Sequence, residues 1–406
     1  MKGIHSTTNF GVAVRRLEAE GADREAMKAV IENAAVAEDS DIAALALVLA
    51  RSGRVRRSRK GTCDVISTGG PSSLSTLLCP LFLVAFGFTV PRVTVPGRPA
   101  GALDALGSMP NYKVRFARDQ FDNVVAKAGF CQALASEDLA PLDGALFSLR
   151  KEVGAVGVTP LVIASLLAKK LAVGVETVLL EVRVGDYGNF GHSMTEAEQR
   201  AVRFCRVAQL LKIRASCILT RARQPYQPHI GRGEALVAVN QILFGKPSRW
   251  LRDHANLCFR IAREAVGVEV ARPNRKVLRR IFEAHLAAQG TSAREFQGTI
   301  EAILSQRKHT ICARATGYVV PDLDALRNII VAAQQSAAPG VGEFPDPLGV
   351  QLLYRPSWPV RLGEAIAEVR HQGSALHNGT EADLRICFAT SRQAIPGSVE
   401  VANVRA

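Results

Sequence analysis

The sequence predicts an α/β protein in three parts: a small all-helical lobe, a larger α/β lobe on a mostly parallel sheet, and a small C-terminal α/β segment. Three observations carry this. The first fifty residues show only helical signals, apolar stripes alternating with acidic surface positions. From Cys63 onward, short β-branched runs alternate with helical ones, as a parallel sheet with crossover helices requires. Finally, 406 residues, 48% hydrophobic and 22% charged, suffice for a large core divided between two or three domains.

Within residues 1–60, the helical lobe, helices are predicted over 12–21, 24–35 and 39–50, the third capped by Asp39 or Ser40. Residues 63–66 read as a short buried strand, 67–73 as a Gly/Ser-rich turn, 74–86 as a helix and 88–95 as a second strand, closing a βαβ unit. Thr159-Pro160 starts a further helix, with a hydroxyl at the cap and proline in the first turn. Strands over 177–184 and 215–220 then alternate with helices over 195–211 and 233–243, and residues 247–310 read as helical. A Pro/Gly-rich stretch, 336–347, leads to short elements at 349–354, 365–371 and 384–389. The C-terminal segment takes 345–406. No internal repeat has solenoid or propeller spacing.

Eight cysteines are scattered without a Cys-x-x-Cys pair or a His/Cys cluster, so neither a disulfide framework nor a metal site is expected, and a reducing cytoplasm is the simplest location. No cofactor is expected either. The N-terminus lacks the apolar core of a signal peptide, and the longest apolar stretch, Leu77–Pro91, is interrupted by Pro80 and Gly87, so no membrane segment is expected. A net charge of +14 and a pI near 9.7 point to anionic partners. The densest basic run is Arg51, Arg54, Arg56, Arg57, Arg59 and Lys60, which a solvated loop explains as well as a binding surface does.

Two stretches carry chemistry. In the first, Ser165 and Lys169 interrupt the apolar helix at i and i+4, on one face. With Arg150 upstream, they suit a flat heterocycle bearing carbonyl oxygens, and would stabilise the negative charge that grows on a pyrimidine when its glycosidic bond breaks. Spacing alone also admits a plainer role, with Ser165 bonded back to a helix carbonyl and Lys169 reaching solvent. The next residue, Lys170, is rotated by about 100° and should point elsewhere. The second stretch runs from Ser67 to Thr76. Glycines allow close backbone approach, hydroxyls donate, and a following helix N-terminus adds oriented N–H groups, a shape suited to an anion. A strand-to-helix turn with a capping serine would look the same.

These residues resemble the thymidine and pyrimidine-nucleoside phosphorylases. The family's pyrimidine site is an arginine followed by a Ser-x-x-x-Lys helix ending in Ala-Lys-Lys-Leu-Ala; here it is Arg150, Ser165 and Lys169, inside Ala164–Ala172. The similarity extends to 64–70 and 181–185, then more weakly to the end of the chain. It implies that Arg150 and Lys169 are catalytic and that Arg150, Ser165 and Lys169 bind the base. With the turn chemistry, it makes Ser67, Thr68, Gly69, Gly70, Ser75, Thr76 and Arg98 the candidate phosphate- or sugar-binding set. It further implies that 152–182 returns to the helical lobe, leaving 61–151 and 183–335 to the α/β lobe, that the lobes close around the substrate, and that the protein is a homodimer joined through the helical lobe.

The anion side departs from the family pattern Asp-Lys-His-Ser-Thr-Gly-Gly-x-Gly-Asp. Val65 and Ile66 replace the lysine and histidine, and Ser72-Ser73 replaces Gly-Asp. The loop at 96–104 is shortened, keeping Gly97-Arg98 and Leu103-Asp104. The N-terminal lobe lacks a helix between Ala50 and Gly61, and a downstream Lys-x-Gly-x-Gly-Ala-Phe becomes the run Arg183–Phe190. Arg92 or Arg98 would have to supply the lost charge.

The resulting expectation is a pentosyltransferase-like enzyme that cleaves or forms a glycosidic bond on a nucleoside, nucleotide or sugar phosphate, with weak ordinary phosphorolysis and phosphate as one candidate acceptor. A related reading is phosphoribosyl transfer, since anthranilate phosphoribosyltransferases share the scaffold, although their Gly-Thr-Gly-Gly-Asp-Gly pattern is absent. A reading of another class is a non-catalytic basic dimer that binds nucleic acid or an anionic ligand. The internal Ser-x-x-x-Lys face argues against it.

Overall fold

The structure is a computed structural model and describes residues 8–56, 60–136, 138–186, 188, 190–337, 342–355, 358–373, 376, 378–394 and 401–405. Arg57 and Arg59 of the basic run, Tyr187 and Asn189 of the 183–190 run, and residues 1–7 lie outside these.

Three helices open the chain, α1 (Asn9–Glu20), α2 (Arg24–Glu32) and α3 (Asp39–Arg51), with a 3₁₀ turn at Ala34–Val36. Helix α1 starts earlier than its apolar stripe because the Thr8 hydroxyl accepts from Gly11 N at 2.9 Å. Neither Asp39 nor Ser40 caps α3. The cap is Glu38, whose N–H donates to the Asp41 carboxylate at 3.3 Å. Thr8 Oγ1 donates to the same buried carboxylate at 2.7 Å and so ties α1 to α3.

The next elements are β1 (Cys63–Ser67), α4 (Ser75–Ala85), β2 (Val90–Thr94), α5 (Ala102–Gly107), α6 (Arg118–Ala128), β3 (Phe130–Leu134), α7 (Pro141–Glu152), α8 (Thr159–Ala172), β4 (Thr177–Val184), α9 (Met194–Leu210) and β5 (Arg214–Arg221). Helix α8 begins one residue earlier than expected, with Val158 as cap and Pro160 still in the first turn. Strands β1, β4 and β5 pair in parallel, as do β2 and β3, and a parallel bridge from Thr62 to Thr89 joins the two groups. The strand order is therefore β3-β2-β1-β4-β5, a doubly wound arrangement whose order reverses between β1 and β4.

Beyond β5 come β6 (His229–Ile230), α10 (Arg232–Leu243), α11 (Arg249–Val266), α12 (Arg275–Ala288), α13 (Ala293–Leu304), β7 (Arg307–Cys312), β8 (Gly317–Pro321), α14 (Leu323–Gln335), β9 (Leu348–Leu352), β10 (Pro359–Val360), β11 (Ala365–His371), α15 (Asn378–Ile386), β12 (Phe388–Ser391) and β13 (Val401–Arg405). Residues 307–310 are thus not helical. They begin β7, which pairs antiparallel with β11. The C-terminal sheets, β6-β9-β11-β7 and β10-β8-β12, are antiparallel throughout, whereas β13 returns to extend the main sheet antiparallel to β5.

Strand alternation sorts the core. Ile66, Val178, Leu180 and Val182 face α1–α3, α8 and α9, while Val65, Leu179 and Ile218 face α4 and α10–α13. Val65 and Ile66, adjacent in sequence, consequently lie on opposite sides of the sheet. All eight cysteines are free thiols, and no helix among the described residues is long and apolar enough to cross a membrane.

Candidate functional site

A cleft of about 490 Å³ opens at the carboxyl ends of β1, β2 and β4, where the strand order reverses. One wall carries Arg150, Ser165 and Lys169. The facing wall carries the turn Ser67–Gly70 with Ser73 and Thr76, and Arg98 lies at the segment following β2. Of the candidate residues, only Ser75 does not line the cleft. It is fully buried, donating to Glu181 and accepting from Arg183 Nη2 at 2.9 Å.

On the wall of Arg150, Ser165 and Lys169, the Lys169 ammonium donates to Asp143 Oδ2 at 2.6 Å and to Ser165 Oγ at 2.7 Å. It does not reach solvent, being only 4% exposed. Two of its three N–H bonds are engaged, leaving one for a ligand. Arg150 is equally buried and holds the α7–α8 connection by donating to the carbonyls of Ala155 (3.3 Å), Val156 (2.6 Å) and Leu161 (3.3 Å). Two guanidinium N–H groups remain. Burial draws its pKa down to about 10, so it stays charged at neutral pH. Arg150 and Lys169 against the single carboxylate of Asp143 leave this wall one positive charge in excess. Phe147, one turn before Arg150, adds an aromatic edge.

The floor of the cleft is a buried ionic triad that spacing alone did not reveal. Asp64 on β1 receives Arg92 Nε at 2.9 Å and Lys170 Nζ at 2.6 Å. All three side chains are at most 3% exposed. Burial pushes Asp64 up, but the two cations outweigh it and hold the carboxyl below its ordinary value; burial draws Lys170 down against the pull of Asp64. Lys170 therefore does not point away from the cleft. It lines the same cavity as Lys169 from a deeper position. Arg92 is likewise not a spare phosphate cation. Besides Asp64, its Nη1 donates at 2.6 Å to the carbonyl of Thr76. That carbonyl is available because Pro80, four residues on inside α4, has no N–H to give it.

The facing wall is a tight turn. Gly69 and Gly70 take φ of 88° and 128°, and Ser72, at a position where the family has glycine, still takes φ of 69°. The turn is locked to β4: Thr68 N donates to Glu181 O at 3.1 Å, and Arg183 N donates to Thr68 Oγ1 at 3.0 Å. Arg183 then places its guanidinium behind the turn, on Glu181 at 2.8 Å and on Gly70 O at 3.4 Å. The start of α4 is held from below by His254, whose Nε2 accepts from Leu74 N at 2.8 Å. Burial depresses His254 to about 4, as an acceptor imidazole requires.

The shortened loop is not an anion nest. The Asp104 carboxylate takes up two of its N–H groups, accepting from Gly97 at 2.8 Å and Gly101 at 2.9 Å while also binding Arg232 at 3.0 Å. The loop folds so tightly that a Cβ on Gly97 would lie 2.5 Å from Gly101 N. Arg98 is exposed at its tip. Asp324 and Arg327 of α14, paired at 3.1 Å, complete the rim. Asp143 was detectable as a carboxylate seven residues before Arg150, on the same helix face; Asp324 and Arg327 had no local signal. Among the described residues, no group of His, Cys, Asp and Glu is arranged to hold a metal ion.

No protein-family model matches the chain. In sequence it is 31% identical to the thymidine phosphorylase of Agrobacterium fabrum over 210 residues, 50% of this chain and 48% of that one. It is 28% identical to the pyrimidine-nucleoside phosphorylase of Staphylococcus haemolyticus over 213 residues, 51% and 49% of the two chains. In structure it is similar to the anthranilate phosphoribosyltransferase of Thermus thermophilus, with a TM-score of 0.51 at 16% identity over 72% of this chain and 93% of that chain, which establishes the fold. The protein has the α/β architecture of that transferase. Over about half its length it is a divergent homologue of thymidine and pyrimidine-nucleoside phosphorylases, and it spans about half the length of the curated relatives it matches.

Proposed function

We propose that the chain is a pentosyltransferase that holds a pyrimidine or pyrimidine-like ring against Arg150, Ser165 and Lys169. The sugar and its anionic group rest on Ser67–Gly70 and Thr76, with Arg98 as the cation at the rim; Arg183, held by Glu181 behind the turn, is committed as Arg92 is. The observation that carries this reading is that both sets line one cleft at the switch point of the sheet. When the glycosidic C–N bond breaks, its electron pair moves to the ring, and the surplus positive charge of the base wall stabilises the developing anion. The acceptor approaches the anomeric carbon from the other wall. There the family histidine is replaced by Ile66, the family lysine position is Val65 on the far face of the sheet, and Arg92 is committed to Asp64. Inorganic phosphate is therefore a poor acceptor, and a sugar phosphate or nucleotide is the better fit.

This reading includes a helical lobe of residues 1–60 with 152–182 returning to it, closing on an α/β lobe of 61–151 and 183–335, with 345–406 as a C-terminal unit. It also includes a cytoplasmic homodimer joined through the helical lobe. The test is incubation with a panel of nucleosides and nucleotides, with and without phosphate, followed by chromatography for free base. Base release from at least one pyrimidine substrate is expected. Failure of every pyrimidine compound both to react and to bind overturns the proposal. Efficient turnover of thymidine or uridine at low phosphate would instead show that the anion wall had been rebuilt.

A further inference from the structure

Half of the net charge of +14 resides in residues 246–280, where ten arginines and lysines meet only three carboxylates. None of these residues lines the cleft. The fold gathers them. Helix α11 has 18 residues, about 27 Å, and residues 267–274 run back beside it. Contacts along the way fix that course: Glu269 on Arg263 at 3.1 Å, Arg272 on Asn256 and over the Phe259 ring, then Arg275 on the carbonyl of Gly245. Helix α12 consequently starts beside the connection that leads from α10 into α11, and Arg279 lies 4.6 Å over the ring of Phe244. Lys246, Arg249, Lys276 and Arg280 are exposed around this junction, and Arg260 lies further along α11; none of the five makes an ion pair among the described residues.

We propose that this face, α11 with its return segment and the start of α12, binds single-stranded nucleic acid. The cations are predominantly arginines, whose planar forks match phosphate oxygens. The half-buried rings of Phe244 and Phe259 pack into the core beneath Arg279 and beneath Arg263 and Arg272 and hold these arginines at the surface, where a guanidinium plane is itself a stacking partner for an unpaired base. A groove of about 220 Å³ between α11 and β13, edged by Arg260, Arg263 and Asn403, continues the face. An anionic membrane is the poorer fit, because within 246–280 the only large apolar residue among the exposed ones is Val268.

The probe is a short fluorescent oligoadenylate, whose purines keep the pyrimidine cleft out of the measurement, titrated by anisotropy over a range of salt concentrations. The triple variant Arg249→Glu, Lys276→Glu, Arg280→Glu should bind at least tenfold more weakly, and the slope of log affinity against log salt should flatten by about 2, at 0.7 per lost phosphate contact. The same charge change at the exposed Arg314, Arg361 and Arg392 should leave the slope unchanged. If the first triple melts early, the Arg249→Gln, Lys276→Gln, Arg280→Gln set makes the same test. The proposal is overturned if the wild type does not bind the oligonucleotide at low salt, if both triples lose affinity equally, or if phosphatidylserine vesicles bind and the oligonucleotide does not.

Discussion

The two walls of the cleft solve the burial of charge differently. The base wall is local: Asp143, Arg150, Ser165 and Lys169 come from two consecutive helices, and Arg150 braces the loop between them through backbone carbonyls. The anion wall and the floor beneath it are assembled from distant strands and helices, Asp64 with Arg92 and Lys170, and Ser75 with Glu181 and Arg183. A local site can retain its ligand-facing atoms while the rest of the chain diverges. An assembled site loses its specificity when one strand residue changes, yet its buried ion pairs cannot be removed singly.

The largest expected effect follows from that difference. Asp64→Leu strands two buried cations and should cost about 3–5 kcal/mol of stability, whereas Asp143→Leu strands only Lys169, which keeps Ser165 and an opening to the cleft. Urea unfolding of both variants decides it, and an equal or larger loss for Asp143→Leu would break the comparison.

Lys169→Ala should weaken binding of a pyrimidine ligand by about 1.5–3 kcal/mol, the range for a hydrogen bond to a charged group. Its neighbour Lys170 sits deeper in the same cleft, on Asp64. Lys170→Ala leaves Asp64 with Arg92 alone and should lower stability, but calorimetry on the folded fraction should find pyrimidine affinity nearly unchanged. Equal losses of affinity would mean that the two lysines form one site.

Much of the base wall was legible because its signal is local: a helix start, an apolar run and an i, i+4 pair. The place of Lys170 was not legible, because helical rotation turns it off the Lys169 face but cannot show that its partner there, Asp64, comes from a strand more than a hundred residues earlier and lies under the same cleft. The commitment of Arg92 was invisible for the same reason, although Pro80 leaves the carbonyl that Arg92 fills. Strand β13 and the α14 rim join the molecule only through tertiary pairing. The alternation that separates Val65 from Ile66 was readable from the strand period, and it narrows the lost cleft-facing group to the histidine.

The anion wall should also be the more acid-sensitive. His254 must stay neutral to accept from Leu74 N, and its folded pKa of about 4 lies below the unfolded value near 6.5. The unfolded chain therefore binds the proton first as pH falls, so this contribution is intact above pH 6.5 and is lost progressively toward pH 4. For this one group the loss is about 2 kcal/mol at pH 5. His254→Gln, which keeps an acceptor, should flatten the decline between pH 7 and 5 in urea titrations. An unchanged slope would assign the acid limb to other groups, such as His229 and His285, which burial also depresses.

The smallest effect tests whether the anion turn keeps its backbone shape against its own sequence. Ser72 has φ of 69°, a left-handed conformation costing a non-glycine residue about 1 kcal/mol. Its hydroxyl offsets that cost by accepting from the buried Tyr226 N–H at 3.0 Å, a bond of similar worth, about 1 kcal/mol. Ser72→Gly removes the strain and the bond together and should change stability by less than about 1 kcal/mol. Ser72→Ala keeps the strain and loses the bond, so it should be less stable than the glycine variant by about 1 kcal/mol. Thermal melts of the three proteins order them. If alanine equals glycine, the turn relaxes out of the left-handed region without its hydrogen bond, and the family's backbone shape has been lost along with its lysine and histidine. If alanine is the least stable, the turn is imposed by its attachment to β4, and restoring anion binding would require only new side chains on an existing frame.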